Sequence, residues 1–138
     1  MSELLISYGV YSYVSQNTLI LPFQADFFTE VIQTLESEIL KKIHTDRSII
    51  GIILDLSKAK IIDLDNIQQL ESVLKMAEIL GVEAYICGLR PDVTLTLVNL
   101  GYENKDLKTC LSIEHGITLI NTNNKNKLGL DLQEGCND

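Results

Sequence analysis

No tryptophan occurs in this chain, and aromatic side chains make up only 6% of it. A core must therefore be built from Ile, Leu and Val, which the sequence supplies in runs. Basic residues are scarce: 11 Lys and Arg stand against 19 Asp and Glu, a net charge of −8. The densest basic stretch, Lys41-Lys42 with His44 and Arg47, is diluted by Glu36, Glu38 and Asp46. Counterion release from phosphate needs a basic face, so the charge balance argues against nucleic acid as a partner. An acidic surface favours solubility and suits basic protein partners. No apolar run approaches the ~18 residues of a membrane span. The start, Met1 to Leu5, has neither a basic segment nor a long apolar one, so it does not read as a secretory signal.

Cysteine is also sparse. Cys87, Cys110 and Cys136 give an odd count with no CxxC spacing. Free thiols in a reducing cytoplasm are the expectation. The 138 residues suit one domain, and 46% hydrophobic residues are enough for a core without metal or disulfides.

Leu4 to Ser7, Val10 to Val14 and Thr18 to Leu21 read as strands, with Gly9 and Ser15-Gln16-Asn17 as turns. Over 26–44, Phe28, Val31, Ile32, Leu35, Ile39 and Ile43 recur at spacings of three and four and predict a helix capped by Asp26. Residues 49–56 are nearly all apolar and rich in isoleucine, as in a strand buried on both faces. A linker from Ser57 to Asp63 leads to a helix over 65–80 with an apolar stripe of Ile67, Leu70, Val73, Leu74, Ala77 and Leu80, stopped by Gly81. Val82 to Cys87 is another strand. Pro91 and Asp92 open a third helix with Val93, Leu97 and Leu100 on one face. A short last helix is expected over 112–121, and a polar, flexible tail over 122–138. The order predicts an α/β fold: a mixed sheet of four to five strands with about four helices.

The search for catalytic chemistry is nearly empty. There is no Walker A or GxGxxG pattern and no HExxH or His/Cys cluster. His44 and His115 fall near helix ends, where surface or capping roles are expected. Cys110 and His115 are close in sequence but do not amount to a nucleophile with its base; Cys87 reads as a small core residue. Asp55, Asp63 and Asp65 lie at a strand end and a helix start, where an α/β sheet binds ligands. Two readings follow: a magnesium site, or strand-end and helix-cap bonding to the backbone. No lysine or threonine at the strand ends completes a receiver-type pocket, which favours the second.

These segments carry a resemblance. Asp55 to Asp63, the helix to Met76-Ala77-Glu78-Ile79-Leu80-Gly81, and above all Gly88-Leu89-Arg90-Pro91 and Thr96-Leu97-Val98-Asn99-Leu100-Gly101 resemble STAS domains of the stressosome type. The similarity covers about residues 4–121 and is nearer to stand-alone RsbS proteins than to the C-terminal half of RsbR proteins. It implies the STAS fold of anti-sigma-factor antagonists (SpoIIAA-like) over 1–121. It implies no cofactor and no catalysis, but binding to RsbR-type paralogues and an RsbT-type switch kinase in a homo- or hetero-oligomeric cytoplasmic scaffold. The alternatives are an antagonist binding an anti-sigma factor one-to-one, or a small-ligand module.

In such domains the switch is a phosphorylated Ser or Thr directly after the aspartate matched by Asp63. Here that position is Leu64, which has no hydroxyl. The resemblance places the partner-binding region at Ile62, Asp63, Leu64, Asp65, Asn66 and Ile67, and Thr96 is the best match to a secondary acceptor. Asp65 puts a permanent charge near the same helix end, turned by about 100° around the axis. That charge either stabilises the helix or mimics a phosphate. Leu64 either offers an apolar contact or folds back as a hydrophobic staple.

Overall fold

The computed structural model describes residues 12–23, 28–59, 64–101 and 108–136. The expected strand at Leu4–Ser7, the turn at Gly9, the Asp26 cap and the linker end with Ile62 and Asp63 lie outside these residues. β1 (Tyr13–Ser15) and β2 (Thr18–Pro22) form a hairpin. Its two-residue turn places Gln16 at φ 50 and Asn17 at φ 61. Positive φ at both central positions matches the twist of the flanking strands, and asparagine tolerates it better than most residues.

Then come α1 (Phe28–Thr45), β3 (Gly51–Asp55), α2 (Leu64–Ile79), β4 (Glu83–Cys87), α3 (Pro91–Asn99), β5 (Thr109–Cys110) and α4 (Ile113–Cys136). The sheet order is β1-β2-β3-β4-β5. β1 is antiparallel to β2, and every other pairing is parallel. The sheet is thus mixed and five-stranded, with four helices, as the element pattern predicts.

Alternation along each strand divides the core in two. Leu19, Leu21, Ile52, Leu54, Ala84 and Ile86 share one cluster with Ile32, Leu35 and Ile39 of α1, Ile67, Leu70 and Val73 of α2, and Leu97 of α3. Ile20, Ile53, Tyr85, Cys87 and Cys110 turn the other way and meet Ile117 and Ile120 of α4. This is why 49–56 reads as continuously apolar: successive residues serve opposite layers.

Three expectations are corrected. Leu80 lies beyond the end of α2 and is 44% exposed; Val82 fills the adjoining core instead. Leu100, expected on the inner face of α3, is the C-cap residue and is exposed. The last helix does not end near residue 121. The backbone of 122–136 continues α4 to Cys136. That stretch contains no proline, and its Leu, Lys and Gln residues are good helix formers, so a segment without an apolar stripe is still helical. β5 was not anticipated, since two residues carry no periodicity.

Candidate functional site

The candidate site lies at the C-terminal ends of the parallel strands and the helix starts that follow them. At the end of β3, the Ser57 N–H donates to Asp55 Oδ1 at 3.0 Å, a local turn that uses the carboxylate in backbone bonding. The Phe23 N–H donates to the Asp55 carbonyl at 2.8 Å, and the Leu56 N–H to the Cys87 carbonyl at 2.9 Å. These bonds extend the parallel ladders by one residue and hold the rim of the sheet. Gly88 leaves β4 with φ +80, and a Cβ there would lie 2.6 Å from the Ser57 nitrogen and 2.7 Å from Asp55 Oδ1. Only glycine permits both the conformation and the close approach.

Of the six residues expected to form the switch region, the structure describes four. Leu64 is the first residue of α2; it is partly buried and packs against the main core cluster. Asp65 is exposed in the first turn, where its charge meets the positive end of the helix dipole. Asn66 is buried at 8% exposure, and Ile67 is fully buried. The helix start therefore divides: Asn66 and Ile67 turn inward, Asp65 faces solvent, and Leu64 sits at the margin, leaning on the core. Downstream, Gln68, Ser72, Lys75 and Ile79 are also exposed. With Asp65 they recur at spacings of three and four and form one outer stripe of α2. This stripe is the complement of the apolar one and was legible by subtraction.

α3 begins at Pro91. Arg90 at its N-cap is extended (φ −71, ψ 146), as a residue before proline should be. Its guanidinium lies 3.7 Å from Asp92 with both side chains exposed, a pairing that contributes little. Thr96 is exposed, and its hydroxyl donates to the Asp92 carbonyl at 2.9 Å. Ser57 and Ser72 are exposed too. The outer face of α3 carries Leu95 and Val98, 62% and 58% exposed, an apolar pair one turn apart.

The histidine and cysteine expectations resolve locally. His115 Nδ1 accepts the Leu111 N–H at 3.0 Å, and the His115 N–H donates to Ser112 Oγ at 3.1 Å, so both residues cap α4. The ring nitrogen a base would use is occupied by the backbone. Among the described residues, no three His, Cys, Asp or Glu side chains are grouped as a metal ion requires. No helix among them is long and apolar enough to cross a membrane.

The STAS domain family model matches residues 11–116. Two curated proteins of Bacillus subtilis are similar. The uncharacterized protein YezB is 38% identical over 64 residues, 46% of this chain and 65% of that protein. The RsbT co-antagonist protein RsbRD is 29% identical over 90 residues, 65% of this chain and 32% of that protein. In both, the matched region spans less than two thirds of the relative's length. Among solved structures, an RsbS variant from Moorella thermoacetica superposes with a TM-score of 0.69 at 19% identity, covering 84% of this chain and 97% of that one. That likeness concerns the fold.

Proposed function

The chain belongs to the STAS domain family, and from that premise we propose that it is a non-catalytic regulatory scaffold working through protein contacts. Residues 1–121 form the binding unit. Its partners are RsbR-type paralogues and an RsbT-type switch kinase, held in a stressosome-like cytoplasmic assembly. The similarity to an RsbT co-antagonist supports this choice of partner class. The contact region is Ile62 to Ile67, which takes in the start of α2 at Leu64, with Asp65 and the outer stripe of that helix facing outward.

The observation that carries the reading is Leu64. It opens α2 and its side chain leans on the core; it has no hydroxyl, and the resemblance to STAS domains matches it to the family phosphoacceptor. A phosphate added at a helix start brings about −1.5 to −2 charges and reorganises local contacts. Leu64 cannot receive one, so binding here is constitutive. Incubation with a cognate RsbT-type kinase and ATP tests this. No phosphate should be transferred to the wild-type chain, and Leu64→Ser should accept one equivalent at residue 64. Transfer to Ser57, Ser72 or Thr96 of the wild type would contradict constitutive binding and favour a regulated switch. Stoichiometric one-to-one capture of an anti-sigma factor, without higher assembly, would favour the antagonist role instead.

A further inference from the structure

Cys87 closes β4, and Cys110 closes β5. The two are direct register partners in the parallel ladder. The Ile86 N–H donates to the Lys108 carbonyl at 2.9 Å and secures that register. Both side chains point to the α4 side of the sheet, inside the cluster of Ile20, Ile53 and Ile117. Both are free thiols, 3% and 8% exposed respectively. Adjacent strands lie about 4.7–4.9 Å apart, within the Cα separation of roughly 4.4–6.8 Å that a disulfide spans.

The two sulfurs are chemically unequal. The hydrogen bond from Cys87 is the largest influence holding the Cys110 thiol below its ordinary range, and the backbone N–H groups of Ser112 and Gly116 act in the same direction. A Cβ on Gly116 would lie 2.9 Å from Cys110 Sγ, so only glycine lets the first turn of α4 rest on that sulfur. Cys87 is pushed the other way, first by its hydrogen bond with Cys110, then by burial and the charge of Asp55. Of the two sulfurs, Cys110 is thus the more readily ionised, and Cys87 the one that keeps its hydrogen. A thiolate is the nucleophilic form of cysteine.

We propose that Cys87 and Cys110 form a dithiol modification site that reacts with hydroperoxides and closes to a reversible disulfide between β4 and β5. The Cys110 thiolate attacks the peroxide oxygen, the O–O bond breaks, and a sulfenic acid forms while an alkoxide or hydroxide leaves and takes up a proton. The Cys87 sulfur then attacks Cys110 Sγ and displaces the hydroxyl group, which departs as water with the Cys87 proton. In sum, two thiols and one hydroperoxide give one disulfide, one water and one alcohol or second water. A small peroxide suits a sulfur this enclosed. The bond would tie the two-residue edge strand and the head of α4 to the strand beside Asp55 and Gly88. It is independent of the phosphorylation state of the chain.

Cys136 provides an internal control. It ends α4, about 35 Å from the helix start at 1.5 Å per residue. Hydrogen peroxide treatment of the full chain, followed by alkylation, non-reducing digestion and mass spectrometry, tests the site. Trypsin separates the two sulfurs by cutting at Lys105 and Lys108. The expected result is a linked peptide pair that has lost two hydrogen atoms, is regenerated by dithiothreitol, and is unchanged in Cys136→Ser. Cys87→Ser should stop at an oxygen adduct on Cys110, and Cys110→Ser should leave Cys87 unmodified. Full alkylation of Cys87 and Cys110 after peroxide, or oxidation confined to Cys136, would overturn the proposal.

Discussion

Asp55 and Gly88 meet across the ends of β3 and β4 so closely that a methyl group on Gly88 would lie 2.7 Å from Asp55 Oδ1. The same methyl would also crowd the Ser57 nitrogen, which the Asp55 carboxylate holds. The rim of the site thus depends on a missing side chain. Gly88→Ala is expected to destabilise the fold by about 2–4 kcal/mol, from positive φ and lost rim bonding together. Gly81 is the control: it has φ +87 but nothing within 4 Å of its Cβ position. Gly81→Ala should cost only the backbone penalty of about 1–2 kcal/mol. Urea unfolding of both variants measures the difference.

Gly51 stands against Ile120 in the same way. A Cβ there would lie 2.5 Å from Ile120 Cδ1, so α4 seats directly on the backbone of β3. Gly51→Ala should destabilise by about 1–3 kcal/mol through overpacking. Combined with Ile120→Ala, it should show a favourable coupling of about 0.5–3 kcal/mol in a double-mutant cycle. Purely additive effects would mean that α4 does not dock here.

Much of this arrangement was legible in the sequence, and the exceptions have physical reasons. The run from Ile49 to Leu56 announces a strand covered on both faces, and Ile52 and Ile53 do enter opposite layers. Gly81 and Gly101 mark helix ends through positive φ. The pairing of Cys87 with Cys110 was not legible, because it depends on the register of a two-residue strand far along the chain. The helical course of 122–136 was hidden because no apolar stripe marks it. For the candidate site, the helix start at Leu64 was foreseen to within one residue. The inward turn of Asn66 was not, since burial of an asparagine depends on its tertiary partner.

Tyr85 makes stability depend on alkaline pH. It is 8% exposed, and burial, followed by the charge of Glu83, holds its phenol above the ordinary range. Lys108 is also raised, chiefly by its hydrogen bond with Glu78 at 2.9 Å. The folded state therefore binds both protons more tightly than the unfolded chain does. Their contribution is fully present below about pH 10, where the unfolded groups begin to titrate, and declines as pH rises further. Tyr85→Phe should flatten part of that decline, while the Lys108 share persists. Chemical denaturation between about pH 8 and 11 reads both.

Leu64 and Asp65 should respond differently to substitution. Leu64→Ser removes a partly buried apolar side chain and should cost up to about 2 kcal/mol. Asp65→Asn should cost about 0.3–1 kcal/mol through the helix dipole, with the loss fading at high salt. Thermal melts at low and high ionic strength separate the two. A salt-independent loss at Asp65 would point to a role other than the helix dipole.

Constitutive scaffolding, with Leu64 proposed to stand in place of the phosphoacceptor, requires that this STAS domain hold its partners whether or not ATP is present. Sedimentation velocity of the full chain mixed with an RsbR-type paralogue and an RsbT-type kinase tests it most directly. The expected result is a high-mass complex containing all three proteins, which keeps its kinase after ATP is added. Free monomer or dimer with every such partner, or release of the kinase by phosphorylation of this chain, would contradict it.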